Sequence, residues 1–446
     1  MAKNTDPALS QNMIYSVFAR NHSKEGTLKK VAEDLDRIAG LGTDILWLMP
    51  INPIGVAKRK GKDGSPYAIA DYRSINETMG DWADLEELVA AAHERGMKVI
   101  IDIVYNHTSP DSKLATEHPE WFYQDENGQP HSLHKEWSDI VDLDYSHPEL
   151  RAELIDTLKQ YARVVDGFRC DVASRVPVSF WKEAREECEK VKPGLFWLAE
   201  SCHLPFVKFC RDHGRVGESD SALYEAFDVL YDYDAFPYFE KNIQDGAPMS
   251  EWIDALIRQD AALPEGAIKL RYLENHDTDR FSQYVKSPLL WKNWTALMFS
   301  LKGLPMIYHG QEHRDAHRPS IFDKDPIEWK KDAEAEDFIR LMNRIHKEKF
   351  TPDSPIEYDP DLEQNVLHIE RDGMDGWFLL AANKDGQLPG TVTIAIPDGT
   401  YTNQIDQQPV AVKEGKVSAD ALPLLLDRTE IQKLSGKLCT QCSFQA

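Results

Sequence analysis

The chain has 446 residues, of which 42% are hydrophobic, 28% charged and 10% aromatic, a make-up that excludes a minimal binding module and a disordered chain and provides for a large core. Asp and Glu number 75 against 51 Lys and Arg, giving a net charge of −24; that field repels polyanions, so nucleic acid and anionic membrane surfaces are poor partners, whereas a neutral substrate is not disfavoured. No run of about 18 apolar residues suggests a membrane span, and the N-terminus Met1-Ala2-Lys3-Asn4-Thr5-Asp6-Pro7 lacks the apolar stretch of a secretory signal.

From residue 13 to about 350, short β-branched apolar runs alternate with amphipathic helical windows, the pattern of a parallel sheet wrapped by helices. In chain order the predicted strands are Met13–Phe18, Asp44–Met49, Lys98–Ile103, Gly167–Asp171, Phe196–Ala199, Phe227–Leu230, Ile268–Tyr272 and Met306–Tyr308. Helical windows lie between them at Thr27–Leu41, Trp82–Arg95, Pro148–Val164, Ser179–Lys190, Met249–Leu263, Trp291–Leu301 and Ala335–Lys347. In the first window Leu28, Val31, Leu35, Ile38 and Leu41 recur at helical spacing, and Gly42 follows as a stop. Eight strand–helix units predict a (β/α)8 barrel, enlarged beyond the roughly 250 residues that such barrels need.

The longest interruption follows Ile103. It contains Trp121, Phe122, Tyr123, His131, His134 and Trp137 and is expected to form a small inserted subdomain over the C-terminal mouth of the barrel. Its aromatic residues suit either sugar platforms at outer subsites or the core of the insertion, and the sequence leaves both open. Beyond residue 350 short alternating strands follow, as at Trp377–Asn383, Gly390–Ile396 and Gln408–Val412, predicting a C-terminal antiparallel β-sandwich. The expected division is therefore 1–107 and 141–350 for the barrel, 108–140 for the insertion and 351–446 for the β-domain. The six cysteines show no disulfide framework, which points to a reducing, cytoplasmic setting. Cys439 and Cys442 have redox or metal spacing, but a single such pair is a weak signal.

Four predicted strand ends carry polar clusters: Asp102-Ile103-Val104-Tyr105-Asn106-His107, Arg169-Cys170-Asp171, Ala199-Glu200-Ser201 and Glu274-Asn275-His276-Asp277-Thr278. Each alone has an ordinary structural reading as a cap or ion pair. In a barrel all four point to one mouth, where such folds keep their active sites. Arg169 and Asp171 are two apart on a strand and share a face, and a guanidinium beside a carboxylate favours the ionised form that a nucleophile needs. Paired carboxyls surrounded by polar groups that hold a sugar ring are what glycoside hydrolysis requires.

These four clusters, in this order, resemble the conserved regions of the α-amylase family, glycoside hydrolase family 13, over Ile14 to about Lys347. The resemblance implies Asp171 as nucleophile, Glu200 as general acid/base and Asp277 as the third carboxylate. It implies sugar contacts from His107, Arg169 and His276, a supporting acid at Asp102, and a stacking tyrosine at Tyr67 in Ser65-Pro66-Tyr67-Ala68-Ile69-Ala70-Asp71-Tyr72. His203, shortly after Glu200, is a candidate contact on the leaving-group side. Double displacement with retention follows, with the two carboxyl groups about 5–5.5 Å apart.

The stretch Asp166–Ala173, with Phe180-Trp181-Lys182, is similar to the neopullulanase, cyclomaltodextrinase and maltogenic amylase branch. The first strand is predicted to begin by residue 13, so that branch's N-terminal domain is expected to be absent. Val141-Asp142-Leu143-Asp144 resembles the family's short motif near the end of the insertion but lacks its proline. Ala68 stands where the oligo-1,6-glucosidase branch has aspartate, the loop Arg20–Gly26 lacks that branch's acidic calcium pattern, and Ala199 replaces the usual glycine. Asn106 matches a calcium-ligand position of many relatives, yet no further ligands can be named, so no essential metal and no cofactor are expected.

The resulting expectation is a hydrolase of α-1,4 bonds in maltodextrins or maltooligosaccharides, with no nucleic-acid or membrane partner. The alternatives within the family are an α-glucosidase, a cyclomaltodextrinase or a transglycosidase. A non-catalytic binding or transporter-associated relative is the different-class alternative, and retention of all three acids argues against it.

Overall fold

The computed structural model describes residue 2, residues 5–381 and residues 387–442, with side chains up to residue 435. Three strands open the chain: β1 (Ile14–Val17), β2 (Ile45–Leu48) and β3 (Lys98–Ile103). Two short ones follow in the insertion, β4 (His107–Thr108) and β5 (Val141–Asp142). Next come β6 (Gly167–Cys170), β7 (Phe196–Ala199), β8 (Val229–Leu230), β9 (Ile268–Arg271) and β10 (Leu304–Tyr308).

Leaving out β4 and β5, the strands close a parallel barrel in the order β1-β2-β3-β6-β7-β8-β9-β10, with β10 returning to β1. All residues of β1, β2, β6, β7 and β10 are buried, because helices cover the outside and side chains fill the inside. The fold is therefore the (β/α)8 barrel that the periodicity predicts.

Two elements differ locally from the sequence reading. The window Thr27–Leu41 forms two helices, Leu28–Glu33 and Leu35–Gly40. The break falls at Asp34, whose carboxylate is held by Arg37 at 2.5 Å and His22 at 3.2 Å. The sixth barrel strand is only two residues long; ahead of it, the Asp228 side chain accepts the Trp197 N–H at 2.9 Å and pairs with Arg185 at 2.7 Å.

In the insertion, β4 and β5 pair antiparallel with His107 opposite Asp142. Trp121 and Phe122 are buried, Trp121 stacks on His118 with ring centroids 3.8 Å apart, and Arg215 lies 3.6 Å from the Tyr123 ring. These three aromatics are packing residues. Only Trp137 of the four faces the central cleft.

The C-terminal strands are β11 (Ile356–Asp361), β12 (Val366–Arg371), β13 (Met374–Leu379), β14 (Thr391–Thr393), β15 (Gly399–Thr402), β16 (Pro409–Val412), β17 (Lys416–Ser418) and β18 (Leu424–Asp427). They form an antiparallel sheet ordered β11-β12-β13-β18 and two ladders, β14 with β17 and β15 with β16. Val366, Trp377, Val392, Tyr401, Val412 and Leu424 join them in a second core. The buried Arg371 ties this domain to the barrel through the carbonyls of Ser300 and Leu301, at 2.9 and 2.8 Å. Cys439 and Cys442 fall in the last helix, Arg428–Cys442, and their side chains lie outside the described residues. Among the described residues no helix is long and apolar enough to cross a membrane.

Candidate active site

The parallel register of β3 with β6 sets Asp102 beside Arg169, and the pleat turns Arg169 and Asp171 to the same side. Arg169 is fully buried. Its Nη1 donates to Asp102 Oδ1 at 2.8 Å and to Asp171 Oδ1 at 2.9 Å. Its Nη2 lies 2.9 Å from Glu200 Oε2 as an ion pair, out of line for a hydrogen bond. One planar guanidinium thus gathers the acids of three strand ends. It is enclosed by aromatic rings, with Trp47 at 5.1 Å and Tyr231 at 5.2 Å, and Nε donates to Tyr231 Oη.

The third acid arrives from the loop after β9. Asn275 Oδ1 accepts the N–H groups of Asp277 and Thr278 and turns the chain so that the Asp277 side chain, 41% exposed, enters the cleft. His276 Nε2 lies 3.1 Å from Asp277 Oδ2 and 2.6 Å from Tyr67 Oη, and Tyr67 Oη donates to Asp102 Oδ2 at 3.1 Å. Tyr67 also stacks on His276, with centroids 5.4 Å apart. In the same cluster Glu274 is buried against Arg280 at 2.6 Å and serves the loop's structure.

Environment separates Asp171, Asp277 and Asp102. Burial pushes Asp171 well above the usual carboxylate range, repulsion by Glu200 adds to this, and Arg169 opposes it only in part. Proximity to Arg169, expected from the sequence to keep Asp171 ionised, is outweighed. Asp277, partly open to the cleft, goes the other way: desolvation by its surroundings raises it, but His276 and Arg169 together bring it down to about 2. Asp102 is raised by burial against the pull of Arg169.

A cavity of about 290 Å³ opens on this cluster, lined by Asp171, Glu200, Asp277, Tyr67, His107 and Trp137, and walled further by Lys60, Ile321 and Phe322. Larger cavities exist, including one of about 690 Å³ beside Arg20 and Arg59 and one of about 500 Å³ in the β-domain, but neither gathers these acids. His107 accepts the Asn106 amide at Nδ1, at 2.8 Å, and burial lowers its pKa to about 4. His203 is not drawn into the cavity. It is exposed at the rim, its Nδ1 donates to the Tyr233 carbonyl at 3.0 Å, and its ring lies 4.6 Å from that of Tyr233.

Sequence reasoning missed four contributors, Val172, Lys60, Ile321 and Phe322. Val172 has φ 38° and ψ 44°, a left-handed conformation that is costly for a β-branched residue. That turn aims its N–H at Glu200 Oε2, 2.7 Å away. No sequence signal marks it, since glycine is the usual occupant. Lys60, Ile321 and Phe322 come from loops without periodicity or motif.

The surroundings of Asn106 do not fit a calcium cage of six to eight oxygens. The nearby Asp142 is held by Arg175 at 2.7 Å, and Asp139 by Lys60 at 2.9 Å. Among the described residues no three His, Cys, Asp or Glu side chains group as a metal site.

Comparison with known proteins agrees with this arrangement. The family model for the α-amylase catalytic domain matches residues 12–120 and 115–361, and that for the bacterial α-amylase C-terminal domain matches 362–426. The chain is 43% identical to the crystal structure of an α-amylase from Lactobacillus plantarum, covering 94% of this chain and 99% of that one with a TM-score of 0.87. It is 32% identical to a maltogenic α-amylase, AmyB, from Thermotoga neapolitana, covering 94% and 97% with a TM-score of 0.78. The α-amylase MalA of Haloarcula japonica is 29% identical over 72% of this chain and 46% of its own length. The chain spans about half the length of the curated relatives it matches.

Proposed function

The chain belongs to the α-amylase family, and from that premise we propose that it is a retaining glycosidase that hydrolyses α-1,4 bonds in maltodextrins and maltooligosaccharides by double displacement. The observation that carries this reading is the single buried guanidinium of Arg169 shared by Asp102, Asp171 and Glu200. It fixes two carboxyls side by side at the barrel mouth, the disposition of a nucleophile and its acid/base partner.

Asp171 attacks the anomeric carbon while Glu200 protonates the leaving oxygen; Glu200 then takes a proton from the water that releases the sugar. Burial and the neighbouring Glu200 carboxyl both push Asp171 upward, and Arg169 opposes them. Glu200 Oε2 faces Arg169 and accepts the Val172 N–H, which leaves Oε1 free to face the leaving group. Asp277, held ionised, grips sugar hydroxyls and steadies the positive charge developing on the ring. Tyr67 offers an aromatic face to the sugar's C–H side, while His107 and His276 hydrogen-bond its hydroxyls.

The two family matches, which meet at 361 and 362, support a barrel followed by a separate β-domain; we divide the chain at about 351 and take 108–140 as an insertion in the barrel. Cys170, Cys188, Cys202 and Cys210 are buried free thiols, which supports work in the reducing cytoplasm.

The test is proton NMR of the first sugar released from maltoheptaose. An α-anomer is expected, and a β-anomer refutes double displacement. Asp171→Asn lowers the rate by about 10⁴-fold; wild-type activity in that variant refutes the assignment. Comparing maltoheptaose with β-cyclodextrin and isomaltose separates the amylase from the cyclomaltodextrinase and α-glucosidase readings.

A further inference from the structure

We propose that the cleft is walled off on its glycone side, so that the enzyme attacks maltooligosaccharides only from their non-reducing ends, and that Lys60 and Phe322 form the closing wall. The proposal rests on the α-glucan hydrolase reading and specifies how a chain enters the site.

Direction follows from the barrel order. Glu200 follows β7, and β1 lies four strands away in either sense around the eight, hence across the mouth. The departing sugar leaves on the side of the group that protonates it, so the aglycone lies toward the loops after β7 and β8. The glycone must then run toward the loops after β10, β1 and β2.

On that side the loops are tied together. Asp63 and Gly64 donate their backbone N–H groups to the Phe322 carbonyl at 3.1 and 2.9 Å. The Lys62 N–H donates to Asp323 Oδ1 at 2.6 Å, and the Lys324 N–H donates to Asp63 Oδ2 at 2.8 Å. From the loop after β1, the buried Arg20 reaches both partners, donating to the carbonyls of Gly64 at 2.9 Å and Ile321 at 2.6 Å. The approach is close enough that a Cβ on Gly61 would sit 2.6 Å from the Phe322 carbonyl oxygen.

The insertion completes the wall. Lys60 Nζ donates to the Glu136 carbonyl at 2.6 Å and pairs with the buried Asp139 at 2.9 Å. Lys60, Ile321 and Phe322 line the same cavity as the three acids. Its volume of about 290 Å³ is close to the roughly 300 Å³ at the small end of ligand sites.

The experiment compares maltoheptaose with maltoheptaose capped by an ethylidene group on its non-reducing ring, with products read by mass spectrometry. The wild type is expected to cleave the capped sugar about a hundredfold more slowly than the free one, because the cap meets the wall and displaces the scissile bond. Lys60→Ala and Phe322→Ala, checked for folding by circular dichroism, are expected to narrow that gap by about tenfold. Equal cleavage of both sugars by the wild type overturns the closed end and leaves the hydrolase reading standing. A gap undiminished in both folded variants overturns the assignment of the wall. Failure to cleave even the free sugar refutes the hydrolase reading, and the proposal falls with it.

Discussion

Gly167 lies in β6, four residues before Asp171, and pairs with Phe196 of β7, four residues before Glu200. A Cβ on Gly167 would sit 2.1 Å from the Phe196 carbonyl oxygen and 2.8 Å from its carbonyl carbon and amide nitrogen. The obstacle is backbone in the middle of a parallel ladder, so no side chain can swing aside. Reaching ordinary contact near 3.4 Å requires Gly167→Ala to push the strands apart by about 1.3 Å. Overpacking of this kind costs about 1–3 kcal/mol, which lowers the melting midpoint by roughly 1–4 °C in a unit of this size. The effect on activity is expected to be the larger one. The two strands carry the two carboxyls proposed to react, and a displacement of about 1 Å costs on the order of a hundredfold in rate. Calorimetry and initial rates on maltoheptaose measure both effects. A variant with the wild-type midpoint and wild-type kcat would refute the claim that the contact between β6 and β7 sets the spacing of Asp171 and Glu200.

Three further outcomes follow from the same geometry. His107 has its pKa lowered by burial from 6.5 to about 4; the unfolded chain therefore binds more protons between those values, and the stability this residue confers is complete above about pH 6.5 and lost as pH falls toward 4, to a limit of about 3 kcal/mol. Urea unfolding of wild type and His107→Gln at several pH values reads this, and parallel pH profiles for the two proteins would contradict it. Arg175→Met leaves the buried Asp142 carboxylate without its partner, at a cost of about 3–5 kcal/mol; the double variant Arg175→Met with Asp142→Leu is expected to recover most of the lost stability, and no recovery would show that the pair is not the cause. Treatment with EDTA should leave the melting midpoint unchanged, because the acids near Asn106 are occupied by Arg175 and Lys60, and a fall of several degrees would reveal a cation site that this arrangement does not contain.

The barrel was legible in the sequence because burial is periodic within each element. Strand runs such as Lys98–Ile103 and helical stripes such as Leu28, Val31 and Leu35 each record which side meets the core. The acids at strand ends were legible for the same reason, since strand placement fixes which end of the barrel they occupy. What distinguishes those acids was not legible. Asp171 and Asp277 are the same residue type at similar strand ends, yet one is pushed up by burial and its neighbour Glu200 and the other is drawn down by His276. Only the assembled charges decide that difference. The left-handed Val172 and the wall of Lys60 and Phe322 were equally hidden. Asp63 reaches Phe322 across more than two hundred residues of chain, and contacts of that range leave no trace in local spacing. The sequence by itself determined the scaffold and the chemical inventory at its mouth. The tertiary structure decided which acid is pushed up and which is drawn down, and which loops meet at the cleft, because both depend on long-range neighbours that only barrel closure brings together.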